Sequence, residues 1–157
     1  MKPRTLLLYQ LLTGLPDAAT GLLLIFAPAF TLRLMLLHAD LAALPFLSFI
    51  GAFVLSVGIA CLYGAWLAMQ ARSAEKLKVV WLLTAISRGS VALFVTSRIL
   101  DGTLEEGWAS VAVADAVFSL FQAIGLYKGW LNDFPTVGQS FGSAAGPKPG
   151  VSRRRKQ

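Results

Sequence analysis

The sequence predicts an all-α protein, a bundle of four transmembrane helices that run up and down, and three observations lead to this prediction. Four apolar stretches each have the length that a helix needs to cross a bilayer; they cover 6–27, 45–70, 79–100 and 108–131. Hydrophobic residues make up 56% of the 157 residues and charged residues only 14%, too few to cover the surface of a soluble domain. The connections 71–78 and 101–107 are short, so the helices that they join should be antiparallel neighbours.

The positions of the basic residues predict the orientation of the bundle. Cations precede the first stretch, lie between the second and third, and follow the fourth, whereas the other two connections are poor in cations. We therefore expect an inner-membrane protein with both termini in the cytoplasm. The net charge of +6 does not indicate a nucleic-acid partner, because these cations form no basic face interleaved with aromatic residues. A cleaved signal peptide is the alternative for the first stretch, but its length and the presence of Pro16 and Asp17 argue against it.

The first span carries a face of small and polar residues that we expect to point into the bundle. These residues recur at a spacing of three to four and so share one side of the helix: Gln10, Thr13, Gly14, Asp17 and Gly21. Pro16 predicts a kink, because proline lacks the backbone N–H and clashes with the preceding turn. The segment 28–44 is too long for a tight turn, and its leucine-rich composition predicts a short helix at the outer interface.

The later spans contain close-packing positions and a second polar face. Gly51, Gly58 and Ala65 lie seven residues apart in the second span, where small side chains let a neighbouring backbone approach. In the fourth span Asp115, Ser119 and Gln122 share one helical face. These spans complete a membrane domain over 1–131. From residue 132 the composition changes to Gly, Ser, Pro and basic residues, which predicts a disordered cytoplasmic tail over 132–157.

Four ionisable residues within the spans are the strongest candidates for a functional site: Asp17, Arg88, Arg98 and Asp115. A charge at bilayer depth is costly unless it is paired or hydrated, so these side chains should face the bundle interior. Counted from the cytoplasmic ends at about 1.5 Å per residue, Arg88 lies at about 13 Å, Asp17 at about 18 Å, Asp115 at about 24 Å and Arg98 at about 28 Å. These depths predict two ion pairs, Asp17 with Arg88 and Asp115 with Arg98. Gln10, Ser119 and Gln122 add hydrogen-bonding groups around them.

Two interpretations of these residues stay open at this point. They are structural ion pairs that fix the register of the helices, or they line a pocket in which Arg88 binds an anionic or carbonyl group. The sequence has no nucleophile motif, phosphate loop or metal-ligand cluster, and its lone His38 does not suit haem. The lone Cys61 excludes an intramolecular disulfide. We therefore expect no cofactor, and catalysis is less favoured than a non-catalytic role.

The chain resembles the small bacterial four-helix membrane proteins that include the DoxX-like group. The resemblance rests on the first-span pattern GLPDAATGLLLIFAP at 14–28, the opening FIGAF at 49–53, and Arg88. The resemblance implies a link to membrane redox complexes, in which such proteins are accessory subunits. Because the chain also has no redox cofactor ligands and almost no soluble surface, we expect a non-catalytic accessory or assembly subunit of a membrane complex, with the lipid bilayer and other membrane subunits as partners. The alternative function is a binder or carrier of a small amphipathic molecule, a quinone or a lipid, in an intramembrane pocket of aspartate and arginine.

Overall fold

The computed structural model describes residues 3–38, 40–70 and 74–132, and in this part of the chain all regular elements are helical. There are five α-helices in it: α1 (Pro3–Phe26), α2 (Pro28–Leu34), α3 (Leu44–Met69), α4 (Ala74–Leu100) and α5 (Ala109–Tyr127). Short 3₁₀ turns, Leu41–Ala43 and Glu106–Trp108, lead into α3 and α5. Four of the helices, α1, α3, α4 and α5, are long and apolar enough to cross a membrane. The four-span prediction is thus confirmed, and the chain is a membrane protein.

Two helix ends differ from the sequence prediction by four residues or more. The helix α4 begins five residues before the expected residue 79, where Glu75 accepts a hydrogen bond from Lys78 at 2.9 Å across one turn. The helix α5 ends at Tyr127 because Gly129 adopts a left-handed φ of 65°, and the N–H of Trp130 then bonds back to the Gly125 carbonyl. A short helix does follow the first span, as expected. The predicted tail lies outside the described residues except for Asn132.

Two helix pairs build the bundle, and the closest packing is between α1 and α3. A Cβ added at Gly58 would lie 2.5 Å from the backbone nitrogen of Ala18, and one added at Gly21 would lie 2.5 Å from that of Leu55. Only glycine permits backbones this close. The small-residue face that the sequence predicts on the second span is therefore the surface on which α1 packs.

The second pair is α4 with α5, and α3 also packs against α4. In contrast, the Cα atoms of α1 stay more than 8 Å from those of α4 and α5. Long side chains fill this wider space between the two pairs, and the polar site lies there. We call the boundary between α1 and α5 the seam.

Apolar clusters close both ends of the space between the helix pairs. At the end where α1 begins, eight buried residues pack together: Leu6, Leu67, Ala68, Ala74, Leu77, Val80, Trp81 and Leu131. At the opposite end Leu32, Leu37 and Leu47 form a second cluster, against which Trp108 packs. The outward faces of the spans carry exposed apolar side chains such as Leu12, Phe53 and Phe94, which is the surface that lipid requires.

Candidate intramembrane polar site

Arg88 is the centre of the site, and it binds two carboxylates at once. Its Nη1 donates a hydrogen bond to Asp115 Oδ1 at 2.7 Å, and its Nη2 donates to Asp17 Oδ2. The arginine lies on α4 and is only 4% exposed, while its two partners come from α5 and α1. The predicted pairing of Asp17 with Arg88 is therefore present. The same arginine also holds Asp115, so a triad replaces the two separate pairs.

The predicted pairing of Asp115 with Arg98 is wrong. Arg98 forms an ion pair with Asp101 at 3.0 Å, one turn along the chain, and its side chain is 47% exposed. The Thr103 hydroxyl also donates to Asp101 at 2.5 Å and holds the pKa of this carboxyl below its usual range. Ten residues separate Arg98 from Arg88, and at about 100° per residue Arg98 points about 80° to the side of Arg88. Arg98 is not part of the site.

Both carboxylates of the triad lie beside the seam and are partly accessible through it. The side chain of Asp17 is 22% exposed and that of Asp115 is 16% exposed. Each belongs to the middle part of its spanning helix, whereas the basic residues of the described spans lie at or near helix ends apart from Arg88. A carboxylate exposed to hydrocarbon at that depth is unfavourable. The seam is therefore a place where a polar group, water or another helix would be favoured over lipid tails.

Aromatic rings close the seam on the side of the triad nearer the start of α1. The ring of Tyr9 stacks on Phe121 of α5, with centroids 4.7 Å apart, and meets Phe118 edge to face at 6.3 Å. The Arg88 guanidinium carbon lies 5.0 Å from the Phe118 ring centroid, a cation–π distance. These rings connect the helix pairs where the backbones are too far apart to touch. They also give the triad an aromatic wall.

A second layer of polar side chains lies about two helical turns from the triad. The Gln122 amide donates to the Thr84 hydroxyl at 2.8 Å, and both residues are buried. Between the layers the Ser119 hydroxyl donates to the Ala85 carbonyl at 2.8 Å, linking α5 to α4. Gln10 is fully buried on α1, and its amide occupies the space over Gly64. The polar residues expected from the sequence, Arg98 apart, thus form one column inside the bundle.

Several buried polar atoms of this column have no hydrogen-bond partner among the described residues. They are Tyr9 Oη, both side-chain amide atoms of Gln10, Trp81 Nε1, Arg88 Nε and Gln122 Oε1. Leaving such groups unsatisfied costs about 1–3 kcal/mol each. Hydrogen-bonding capacity therefore exceeds what the protein side chains use, which is the condition for holding water or a polar ligand.

Cys61 and Thr13 line the column between the two layers. The Cys61 thiol is buried on α3 within interaction range of the Thr13 hydroxyl and the Arg88 guanidinium. The Thr13 hydroxyl donates to the Tyr9 carbonyl at 3.0 Å within its own helix. These two residues therefore lie between the triad and the layer that contains Gln122 and Thr84.

Two further features lie outside this site: a shallow groove on α1, and His38. The groove has a volume of about 290 Å³ and lies on the outer face of α1, lined only by apolar residues: Leu8, Leu11, Leu12, Leu15 and Pro16. His38 lies beyond α2, where its backbone N–H is 3.4 Å from Glu105 Oε2. The described residues contain no group of three or more His, Cys, Asp or Glu side chains arranged to hold a metal ion.

Sequence reasoning missed four residues of the site: Tyr9, Trp81, Thr84 and Phe118. Thr84 and Trp81 precede Arg88 by four and seven residues, which is the spacing of one helical face. Applied to the third span, the face analysis used on the first and fourth would have found both. Phe118 follows Asp115 by three residues and Tyr9 precedes Thr13 by four, so both lie beside the polar faces already identified. Spacing does not show that the two rings meet, because their contact depends on how far apart α1 and α5 lie.

No family model, curated protein or solved structure matches this chain, so the comparisons do not identify it as a DoxX-like protein.

Proposed function

We propose that this membrane protein binds a small amphipathic molecule, with the polar headgroup at the Asp17–Arg88–Asp115 triad and access from the bilayer through the seam. The observation that supports this proposal is the partial exposure of both carboxylates between α1 and α5, at mid-span depth. An ion cluster that served stability alone would be favoured by complete burial among helices, because exposure to hydrocarbon is unfavourable for a charge. A quinone and a lipid are the ligand classes that the sequence suggested.

The closed ends of the bundle favour lateral access over a path along the helix axis. The apolar clusters around Trp81 and around Leu47 lie at the two ends of the polar column, and their side chains are buried. A molecule that reaches the triad between α1 and α5 keeps its apolar part in lipid. This geometry suits a binder or carrier of a membrane-dissolved molecule rather than a pore for water-soluble solutes.

The experiment is extraction of the full-length protein from native membranes in lipid nanodiscs, followed by mass spectrometry of the bound lipids and quinones. The lipid or quinone that the wild type enriches over the surrounding membrane should be lost in the variant Arg88→Met and retained in the variant Arg98→Met. Arg98 is the matched control because it is an arginine of the same helix whose ion pair lies outside the site. An identical set of molecules in wild type and both variants would refute the proposal.

A second candidate function is an accessory or assembly subunit of a membrane complex, and membership of the DoxX-like group is part of this second proposal. The observation that favours it is the size of the apolar surface: exposed large hydrophobic side chains occur on all four spans. Such a protein has most of its surface available to a neighbouring membrane subunit. Stoichiometric co-purification of another membrane protein from native membranes would support this function, and isolation of the chain alone would oppose it.

A further inference from the structure

The charges of the site do not balance. Arg88 contributes one positive charge, and Asp17 and Asp115 contribute two negative charges, which leaves a formal charge of −1 when both carboxylates are ionised. No other charged residue is near enough in its helix to compensate: α3 has none, α5 has only Asp115, and the remaining charges of α1 and α4 lie towards the helix ends. A net negative charge in a low-dielectric interior is strongly unfavourable. One more positive charge, either a proton on one carboxyl or a cation from outside the chain, would make the site neutral.

The site also has unused hydrogen-bonding groups that are deeply buried. Arg88 Nε has no partner among the described residues, although the residue is 96% buried within the triad. Gln10, two helical turns from Asp17 on the same face of α1, is fully buried with both amide atoms unpartnered. These groups are independent of the charge count. Gln10 can donate to and accept from a polar occupant, whereas Arg88 Nε–H can only donate and would take water or another acceptor beside a bound headgroup.

The triad disfavours an anionic or carbonyl headgroup, contrary to the role that the sequence suggested for Arg88. Both terminal nitrogens of the guanidinium already donate to carboxylates. An anion would have to displace one of them and would raise the negative charge of the site further. A neutral carbonyl could accept a hydrogen bond from Arg88 Nε, but it would leave the excess charge unchanged.

We propose that the headgroup bound at the triad is a cationic amine, carried by a membrane-dissolved amphiphile. This inference rests on the proposed function and specifies its ligand class. Each carboxylate uses one oxygen for Arg88, and the second oxygens of Asp17 and Asp115 would receive the amine on the side of the seam. The rings of Tyr9 and Phe118 beside them add the aromatic faces that ammonium groups favour.

The test compares three probes on the full-length protein in dodecyl maltoside micelles, whose headgroup has no ammonium group, with empty micelles as the background for partitioning. The probes are dodecyltrimethylammonium, dodecyl sulfate and the neutral quinone decylubiquinone, and binding is measured by isothermal titration calorimetry. We expect saturable binding of the ammonium probe and none of the sulfate. Saturable binding of the quinone without binding of the ammonium would overturn the amine inference and leave the proposed function standing. Absence of saturable binding for all three probes would overturn both.

Two single variants test whether the excess carboxylate attracts the amine. Asp115→Asn or Asp17→Asn leaves one carboxylate paired with Arg88 and a neutral site, so ammonium binding should weaken by at least about tenfold. The control is Asp101→Asn, the same change at a carboxylate outside the site, which should bind as the wild type does. Equal affinity in all four proteins would overturn the inference. If one site variant fails to fold, the other variant and the headgroup comparison on the wild type still decide the outcome.

Discussion

Replacing Arg88 with methionine should be among the most destabilising single changes in this protein. Methionine keeps much of the volume and removes both charge-assisted hydrogen bonds, to Asp17 and to Asp115. Two carboxylates then lie in the bundle without a counter-charge, and the formal charge of the site changes from −1 to −2. Removing one partner of a buried ion pair costs about 3–5 kcal/mol. At about 2–4 °C per kcal/mol for a chain of this size, the melting temperature should fall by about 6–20 °C.

The assay is the fraction of monodisperse protein that remains in detergent after heating, measured by fluorescence-detected size-exclusion chromatography. Arg98→Met is the matched control, because Arg98 is half exposed and its ion pair with Asp101 lies outside the bundle. Exposed pairs contribute little, so the control should melt close to the wild type. The rescue is the triple variant Arg88→Met, Asp17→Asn and Asp115→Asn. It removes all three charges and should recover most of the lost stability.

The double variant with Asp17→Asn alone should recover less, because Asp115 still lacks its partner. This difference separates a triad from the simple pair that sequence depth predicts. The reasoning is refuted if Arg88→Met melts with the wild type, since a buried charge partner cannot then be stabilising the core. It is also refuted if the double variant recovers as much stability as the triple variant.

Three further predictions test other parts of the structure. Gly58→Ala should lower the free energy of unfolding by about 1–3 kcal/mol, because its Cβ would press on the Ala18 backbone. Gly89→Ala should lower it less, because its Cβ would meet only the Ser119 hydroxyl at 3.0 Å. Thermal melting compares the two variants. Gln10→Leu should keep or raise the melting temperature, because it removes a buried amide without hydrogen-bond partners. The same change should weaken ligand binding in nanodiscs. A large loss of stability would contradict the interpretation that the Gln10 amide is unpartnered. In a Cys61→Ser background, the variant His38→Cys should react with an impermeant thiol reagent added outside intact cells. A cysteine added at the amino terminus should not react with it.

The number and order of the membrane helices could be predicted from the sequence because hydrocarbon imposes one requirement, a long apolar helix, on every span. The exact ends could not. The early first turn of α4 contains a local pair, Glu75 with Lys78, and the early end of α5 coincides with the left-handed turn at Gly129. Mean hydropathy is insensitive to both, since each involves only one turn of helix.

The site was only partly predictable, because depth along a helix does not determine direction around it. Depth correctly placed Asp17 near Arg88, and it placed Asp115 near Arg98 on the same argument. Arg98 has an acidic neighbour three residues on, Asp101, and a pair at that spacing forms within the helix end without any tertiary contact. The local pair was available from the sequence. Arg88 and Arg98 point in directions about 80° apart around α4, so comparing these directions would have shown that the two arginines do not share one face.

The triad also explains how α1 stays attached to α4 and α5 although its backbone remains apart from theirs. Close packing of glycine holds α1 on α3, but it cannot act between α1 and the other pair, whose Cα atoms lie more than 8 Å away. The ion pair of Asp17 with Arg88 and the rings around Tyr9 cross that distance. The side chains that hold α1 on the other pair are therefore the same ones that line the seam. A small residue in place of Arg88 would remove the ion pair and leave only the rings to cross that distance. The spacing that leaves room for a headgroup thus also makes the attachment of α1 depend on Arg88.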